Sequence, residues 1–339
     1  MMLDDPFFVS SSPLIVKWEI TRGCNLKCKH CYARAGRFAP SELKTEEIKK
    51  VVDRLAEIET LSLQFTGGEP FLRKDFMTIL KYAATYNFSI TILTNATLIT
   101  KALANKLSSL NIRSVQVSLD GAVASTHDRI RGVPGAFNLA VRGIKNLIEA
   151  NIKVSIATTF SKINFNEADQ IYELARRLGA SSFLFGFVYP VGRGKDNFKN
   201  LCLSWKEMRK IQKLLVNKTK EYKNFPVYID EAIGTLEKDK WRPPVCKAGR
   251  IMIAITAEGS MVLCPMLPHL TFGNVLKDDI LAVWKDSPML EYIRDLKNVK
   301  GRCARCRFLL KCGGGCKAMS YYKTNDLMGS DPFCPIYRR

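Results

Sequence analysis

Along the first two thirds of the chain, short stretches of alternating apolar and polar residues give way repeatedly to stretches with three-to-four spacing. Over Pro13–Ile20, Leu14, Val16 and Trp18 alternate with Lys17 and Glu19, which predicts a strand. Thr45, Glu46 and Glu47 mark a helix start, and Ile48, Val51, Val52, Leu55 and Ile58 form its apolar face. Leu61–Phe65 predicts the second strand. The pattern continues as helix Phe76–Tyr86, strand Ser89–Leu93, helix Lys101–Leu110, strand Ser114–Leu119, helix Phe137–Ala150, strand Ile152–Thr159, helix Glu167–Leu178 and strand Ser182–Phe187. Six strands alternating with helices predict an α/β fold with a parallel sheet and right-handed crossovers. In such folds ligands bind at the carboxyl ends of the strands.

Distinctive motifs fall at those ends. After the first strand comes Thr21-Arg-Gly-Cys24-Asn-Leu-Lys-Cys28-Lys-His30-Cys31-Tyr32, with cysteines spaced C-x₃-C-x₂-C. Thiolates this close must curl around a common object, and soft thiolates select zinc, copper or an iron–sulfur cluster. Structural zinc takes a fourth protein ligand. No fourth cysteine follows nearby, and His30 adjoins Cys31, which makes joint ligation awkward. A [4Fe–4S] cluster held by three cysteines leaves one iron open to a co-substrate. The plain alternative is three buried or disulfide cysteines. After the second strand comes Thr66-Gly67-Gly68-Glu69-Pro70. Its glycines allow close backbone approach, and Glu69 can accept from an ammonium group; alone, the motif could also be a strand-ending turn. Thr94-Asn95 follows the third strand and Ser118-Leu-Asp120-Gly121 the fourth.

The cysteine motif and GGEP together resemble the radical S-adenosylmethionine (SAM) family. The resemblance implies a partial (β/α)₆ barrel. It implies that Cys24, Cys28 and Cys31 hold a [4Fe–4S] cluster whose open iron binds the amino and carboxylate groups of SAM. Gly67, Gly68, Glu69 and Pro70 would receive the amino group. Reductive cleavage of SAM then yields a 5′-deoxyadenosyl radical that abstracts a hydrogen atom, chemistry that belongs to the cofactor while the protein positions and shields it. By the same resemblance His30 falls where the family contacts adenine, and Asn95 and Ser118 where it contacts ribose and carboxylate. Asp120 and Gly121 belong to a pattern that continues into His127-Asp128-Arg129-Ile-Arg131-Gly132. Arg131 is an expected carboxylate partner, since guanidinium binds carboxylate in bidentate fashion. Thr158 is expected to line the adenine site. For Asn95, Ser118, Arg131 and Thr158 the alternative is ordinary capping and loop bonding. His127 and Asp128 are expected to order a loop.

Gly192-Arg193-Gly194, after the sixth strand, predicts a flexible loop on the same rim. From Arg193 to Lys223 there are ten basic and three acidic residues, most on a predicted helix Trp205–Tyr222. This is a solvated face or a basic lip for an anionic substrate. Residues 224–240 read as a connector. Cys246 precedes two extended runs, Ile251–Thr256 and Ser260–Cys264, which predict a hairpin around Ala257-Glu258-Gly259. Cys303, Cys306, Cys312 and Cys316 follow as C-x₂-C-x₅-C-x₃-C, and Cys334 comes last. Seven cysteines in the last 94 residues are too dense for core packing, and a pair of zinc sites is one physical reading. The pattern resembles the SPASM domain, a C-terminal extension of many radical SAM enzymes that holds auxiliary iron–sulfur clusters, here expected as two [4Fe–4S]. The resemblance implies interleaved ligation: Cys246, Cys264 and Cys316 for an inner cluster, Cys303, Cys306, Cys312 and Cys334 for an outer one. Some relatives carry a further cysteine shortly before the place of Cys246. Glu237–Val245 contains none, so the inner cluster is expected to keep one exchangeable position. Cys202 reads as a small buried hydrophobe. The expected division is 1–13 as an N-terminal segment, 14–223 as the barrel, 224–240 as the connector and 241–339 as the SPASM domain.

Composition narrows the function. The chain has 339 residues, 47% hydrophobic, enough for a full α/β core and a second unit. It holds no run of 18 apolar residues, so no membrane span is expected. Met1–Ser12 carries two Asp and no Lys or Arg, which is not a signal peptide. The expected place is the cytoplasm, where eleven cysteines argue for metal rather than disulfides. A net charge of +20 suggests an anionic partner or a Lys-rich solvated surface. The leading expectation is a radical SAM oxidoreductase or maturase that crosslinks, oxidises or decarboxylates a ribosomally made peptide or protein. The alternative is oxidative decarboxylation of a tetrapyrrole propionate in heme biosynthesis, which a basic lip would suit. A non-catalytic iron–sulfur electron carrier is a reading of another class, and the intact GGEP argues against it. A low-potential donor, ferredoxin or flavodoxin, is an expected partner. No recognisable RNA module makes nucleic acid one. About a dozen residues precede the first strand, so no leader-peptide-binding domain is expected there, which weakens the peptide reading.

Overall fold

The computed structural model describes residues 8–229, 235–237, 240–242, 245–334 and 336. Seven parallel strands run in sequence order across one sheet: β1 (Ile15–Glu19), β2 (Ser62–Thr66), β3 (Ser89–Thr94), β4 (Ser114–Ser118), β5 (Val154–Phe160), β6 (Ser182–Phe187) and β7 (Val227–Ile229). They form the partial barrel of the α/β fold that the alternation predicts. Every second residue is apolar and faces the helices outside. Val16 and Trp18, Leu63 and Phe65, Ile90 and Ile92, and Val115 and Val117 are all buried in one core. Trp18 stacks on Phe65 at 6.1 Å between ring centroids, and Phe65 meets Phe76 edge-on at 5.7 Å. Phe76 opens the helix Phe76–Ala83, and the helix Thr45–Glu57 buries Ile48, Val51, Val52 and Leu55 beside it.

The intervening residues face inward and are mostly polar or small, with Ile15, Leu93 and Leu184 as exceptions. Lys17, Ser62, Gln64, Ser89, Thr91, Ser114, Gln116, Ser118 and Ser155 all lie half-buried on this inner face. Successive strand residues point to opposite faces, so the barrel has an oily outside packed by helices and a hydroxyl- and amide-lined inside.

Several elements differ from the sequence expectation. β7 lies at the start of the segment read as a connector. It is a three-residue strand behind Pro226, too short for alternation to register. Residues 124–131, expected as an ordered loop, form the helix Ala124–Arg131, which has only a narrow apolar face. The predicted hairpin exists as β10 (Met252–Ile255) and β11 (Ser260–Val262), with β12 (Thr271–Asn274) as a third strand. It does not stand apart from the barrel. β10 pairs in parallel with β1, so the sheet has ten strands in the order β12-β11-β10-β1-β2-β3-β4-β5-β6-β7. Between β7 and β10, β8 (Thr235–Glu237) and β9 (Lys240–Arg242) pair as a separate ribbon. Residues 230–234 of the connector lie outside the described residues. No helix among the described residues is long and apolar enough to cross a membrane.

The two faces predict opposite mutational costs. Phe65→Ala empties a fully buried aromatic site and is expected to lower stability by ~3–5 kcal/mol, whereas Gln64→Ala on the inner face costs under about 1 kcal/mol. Denaturation midpoints of both variants check this, and equal losses would contradict the assignment of faces.

Candidate functional site

The cysteine loop after β1 rests on the glycine turn after β2. Gly68 N donates to Thr21 O and Glu69 N to Gly23 O, both at 2.7 Å. A Cβ added at Gly68 would lie 1.9 Å from Gly23 O, so only glycine fits. Gly67 adopts φ +128°, a conformation that also favours glycine. The loop is fastened on its other side by the helix Ala124–Arg131, whose last carbonyls, Ile130 O and Arg131 O, accept from Lys29 N and Lys27 N at 2.9 Å. Arg193 completes the clamp, with Nε donating to Cys28 O and Nη1 to Ala35 O, both at 2.8 Å. Sequence reading treated Arg193 as part of a flexible loop; its interior role depends on partners more than 150 positions away.

Cys24, Cys28 and Cys31 gather around Leu26 and Ala136. Burial pushes the Cys24 thiol up to about 11, and the neighbouring Cys28, Glu69 and Cys31 charges add to the rise. Burial raises Cys28 as well, while Arg131 opposes it, with Nη1 3.7 Å from the sulfur. Soft donors converge here and repel one another's charge, and a bound cationic iron–sulfur core would relieve that. Three converging soft thiol donors suit an iron–sulfur cluster.

Glu69 is fully buried beside this trio. Its carboxylate accepts from Thr94 Oγ1 at 2.7 Å, Asn95 N at 2.8 Å and Phe71 N at 3.2 Å. Burial still wins and pushes it up to about 7, the three bonds pulling the other way. A buried carboxyl in this state lacks a cation. Pro70 follows it in a short turn. Asn95 spends its side chain on Asn25 at 3.0 Å and on Thr97. Ser118 stands on the inner face at the end of β4. Arg131 Nη2 lies 2.8 Å from the buried Asp120, and the His30 imidazole stands 3.6 Å from the same carboxylate. Burial holds His30 and His127 down at about 4, against the pull of Asp120 on His30, so both are neutral at pH 7. Gly121 follows Asp120 where a Cβ would strike His127 N. Thr158 is not brought to this group: it shares the helix-facing side of β5, and its hydroxyl donates to Leu119 O at 2.7 Å.

Glu19 and Tyr32 were passed over in the sequence. Glu19 ends β1 on the inner face and is 6% exposed. Burial pushes it up to about 7, with Arg22 opposing, and its Oε1 has no hydrogen-bond partner among the described residues, while the Tyr32 hydroxyl is directed toward Glu19 and Thr66. In a strand of alternating residues a Glu reads as solvent-facing, which hid it.

The C-terminal cysteines fall into two neighbourhoods. Cys316 is raised by burial, and the charges of Cys246, Asp331 and Cys264 add to it. Cys312 is pushed up to about 12 by burial, with Cys334 and Cys303 adding. Cys306 is tied to Cys303 through a backbone bond of 3.1 Å. Lys317, 4% exposed, joins the two neighbourhoods: it follows Cys316, and its Nζ donates at 2.7 Å to the carbonyl of Gly313, which follows Cys312. Cys202 lies apart, with its thiol donating to Leu203 O at 3.4 Å.

A cavity of about 740 Å³ separates the cysteine loop from this C-terminal region. Tyr32 and Arg34 wall it on the loop side, Lys195 on the rim, and His269, Tyr321 and Lys323 on the far side. The adjacent Tyr322 also lines it, bonds Met266 O at 3.0 Å and feels the charge of Cys264.

Comparison with known proteins identifies the arrangement. A family model described as the radical SAM superfamily matches residues 18–175, and one described as an iron–sulfur cluster-binding domain, SPASM, matches residues 246–307. The chain is 32% identical over 345 residues to the AdoMet-dependent heme synthase of Methanosarcina barkeri, covering 97% of this chain and 98% of that protein. It is also 32% identical to the mycofactocin maturase MftC of Mycobacterium tuberculosis, covering 95% and 83%. Streptococcus suis SuiB bound to its precursor peptide SuiA shares the fold at TM-score 0.80 and 19% identity, over 96% of this chain and 77% of that one. Native anSMEcpe with bound AdoMet does so at TM-score 0.74 and 18% identity, over 96% and 95%. The glycine turn, the clamped cysteine loop and the cysteine-rich C-terminal region are therefore those of an enzyme with iron–sulfur and SAM cofactors, and the chain belongs to the radical SAM family with a C-terminal SPASM domain.

Proposed function

We propose that this radical SAM/SPASM enzyme oxidatively decarboxylates a propionate side chain of a tetrapyrrole. The cavity between the cysteine loop and the SPASM region carries the reading. Its Tyr32, His269 and Tyr321 side chains offer aromatic surface to a planar conjugated ligand, and Lys195 and Lys323 offer cations to its carboxylates, while the Arg34 guanidinium beside them is paired with Asp196. The match to a heme synthase over nearly the whole of both chains supports it. A peptide substrate is the second reading, favoured by the inner face of Ser, Thr and Gln, which suits an extended backbone, and by the similarity to the mycofactocin maturase.

In this reading Cys24, Cys28 and Cys31 hold the SAM-binding [4Fe–4S] cluster, and the two C-terminal groups hold auxiliary clusters. Bound SAM would supply the hydrogen-abstracting radical. Loss of a hydrogen atom from the propionate carbon next to the ring, of CO₂ from its carboxylate and of one electron would leave a vinyl group, and the auxiliary clusters that the C-terminal cysteines would hold are the one-electron acceptors at hand. Glu69 takes the SAM ammonium, the cation its site lacks. Arg131, held by Asp120 through Nη2, sits against Cys28 with Nη1 and balances thiolate charge, and its buried Nε, without a partner among the described residues, is the donor left for SAM's carboxylate. The basic helix Trp205–Glu221 suits an acidic ferredoxin or flavodoxin as electron donor. Free cysteines in cluster-binding groups of this kind suit the reducing cytoplasm.

Anaerobically reconstituted protein given SAM, a low-potential reductant and iron-coproporphyrin III is expected to convert propionate to vinyl groups, with CO₂ and 5′-deoxyadenosine in equal amounts. Mass spectrometry reads both. No decarboxylation in that assay, alongside modification of a peptide, would replace the first reading with the second. The variant with Cys24, Cys28 and Cys31 all changed to Ala is expected to form no 5′-deoxyadenosine.

SAM affinity should depend on pH through Glu69. With no ligand its carboxyl is protonated below about 7, and the SAM ammonium needs the ionised form. Affinity therefore falls as pH drops below about 7, by up to about tenfold per unit. Anaerobic equilibrium dialysis from pH 5.5 to 8 checks this. Glu69→Gln should bind SAM more weakly at pH 8 and lose the dependence; a wild-type affinity that is flat with pH would remove Glu69 from the role.

A further inference from the structure

Lys17 stands on the inner face of β1, two residues before Glu19. Strand register sets it level with Gln64 on β2, Thr91 on β3 and Ser114 on β4. The Thr91 and Ser114 hydroxyls lie 3.4 Å apart, so the row faces one way. The flanking Val16 and Trp18 are buried in the helix-packed core on the other face. All four members of the row are half-buried. Among the described residues, no hydrogen bond or ion pair reaches the Lys17 ammonium. Glu19, its neighbour on the same face, lies nearer the strand end, where its buried Oε1 has no hydrogen-bond partner among the described residues and Arg22 and Tyr32 influence its charge. Among the described residues the Lys17 ammonium thus stands on the inner face beside the neutral side chains of Gln64 and Thr91, with no carboxylate bonded to it.

We propose that Lys17, Gln64 and Thr91 form a binding site for a substrate carboxylate inside the barrel. The site lies about 7 Å below the strand ends, two residues at ~3.3 Å each. Glu69 and the cysteine trio stand at those ends. A side chain whose carboxylate is held at Lys17 keeps its remaining carbons on the side of the SAM site. Tyr32 lies between this face and the cavity: it lines the cavity, and its hydroxyl is directed toward Glu19 and Thr66 at the strand ends. In this proposal one carboxylated arm of a ligand held in the cavity reaches past Tyr32 toward Lys17. The inference rests on the reading that the reaction takes place beside a substrate carboxylate, and it names the residue that selects the arm.

The test titrates the SAM-loaded holoenzyme with coproporphyrin III and, separately, with its tetramethyl ester, reading binding from the porphyrin absorbance. Wild type is expected to bind the acid at least tenfold more tightly than the ester. Lys17→Met is expected to lose at least tenfold for the acid and nothing for the ester, and Lys17→Arg to restore most of the loss. Iron content and circular dichroism establish that the variants are folded, and the acid–ester comparison needs no variant. Equal binding of the acid by wild type and Lys17→Met overturns the Lys17 site and leaves the tetrapyrrole reading standing. Equal binding of acid and ester by wild type overturns the carboxylate site as well. Binding of neither compound to wild type overturns the tetrapyrrole reading, and the site with it.

Discussion

Two backbone hydrogen bonds, Gly68 N to Thr21 O and Glu69 N to Gly23 O, fix the position of everything else in the site. They require the turn after β2 to pass within bonding distance of the loop after β1, and no side chain fits between them. Once they form, Glu69 is held beneath Thr94 and Asn95, and the cysteine loop starts from a fixed point. The loop then needs support only along its far side, which the carbonyls of Ile130 and Arg131 and the fork of Arg193 provide. The reactive geometry depends on three separate parts of the chain gripping one loop by its main chain. Its cysteine side chains stay available for ligation.

The barrel divides its residues by face. Apolar residues on the outer face of the strands meet helices, and burial there supplies the stability. The inner face carries hydroxyls, amides and a few charges, so it does not pack shut as the interior of a closed eight-stranded barrel does. Burial raises Glu19, Glu69, Cys24 and Cys28 toward their neutral forms, and each is placed where a cation, a hydrogen bond or an iron centre can favour the charged form instead.

Local pattern made much of this legible. Leu63 and Phe65, or Ile90 and Ile92, announce a strand because their alternation needs no knowledge of partners. The cysteine spacing and GGEP announce their chemistry because few other structures need them. What escaped depended on distant pairing or on the direction of a face. Lys17 and Glu19 read as solvated until the strand's second face proved to be the interior. The helix Ala124–Arg131 has too narrow an apolar stripe to announce itself, yet its carboxyl end supports the cysteine loop. The parallel pairing of β10 with β1 joins segments whose sequences give no sign of each other. Thr158 sits at a strand end, where its hydroxyl is tied to the main chain at Leu119 O, a partner that its own sequence neighbourhood does not announce.

The pairing of β1 with β10 has a consequence for the order in which the molecule is made. β1 leaves the ribosome early and finds β2 soon afterwards, but its other edge waits for residues synthesised more than two hundred positions later. At ordinary translation rates that wait is roughly 10–50 s. Until then the strand that leads into the cysteine loop carries an unpaired edge, open to other chains. The last third of the protein is thus its own edge guard, and a ribosome that stalls before Met252 releases a barrel that is sticky along the strand next to its reactive loop.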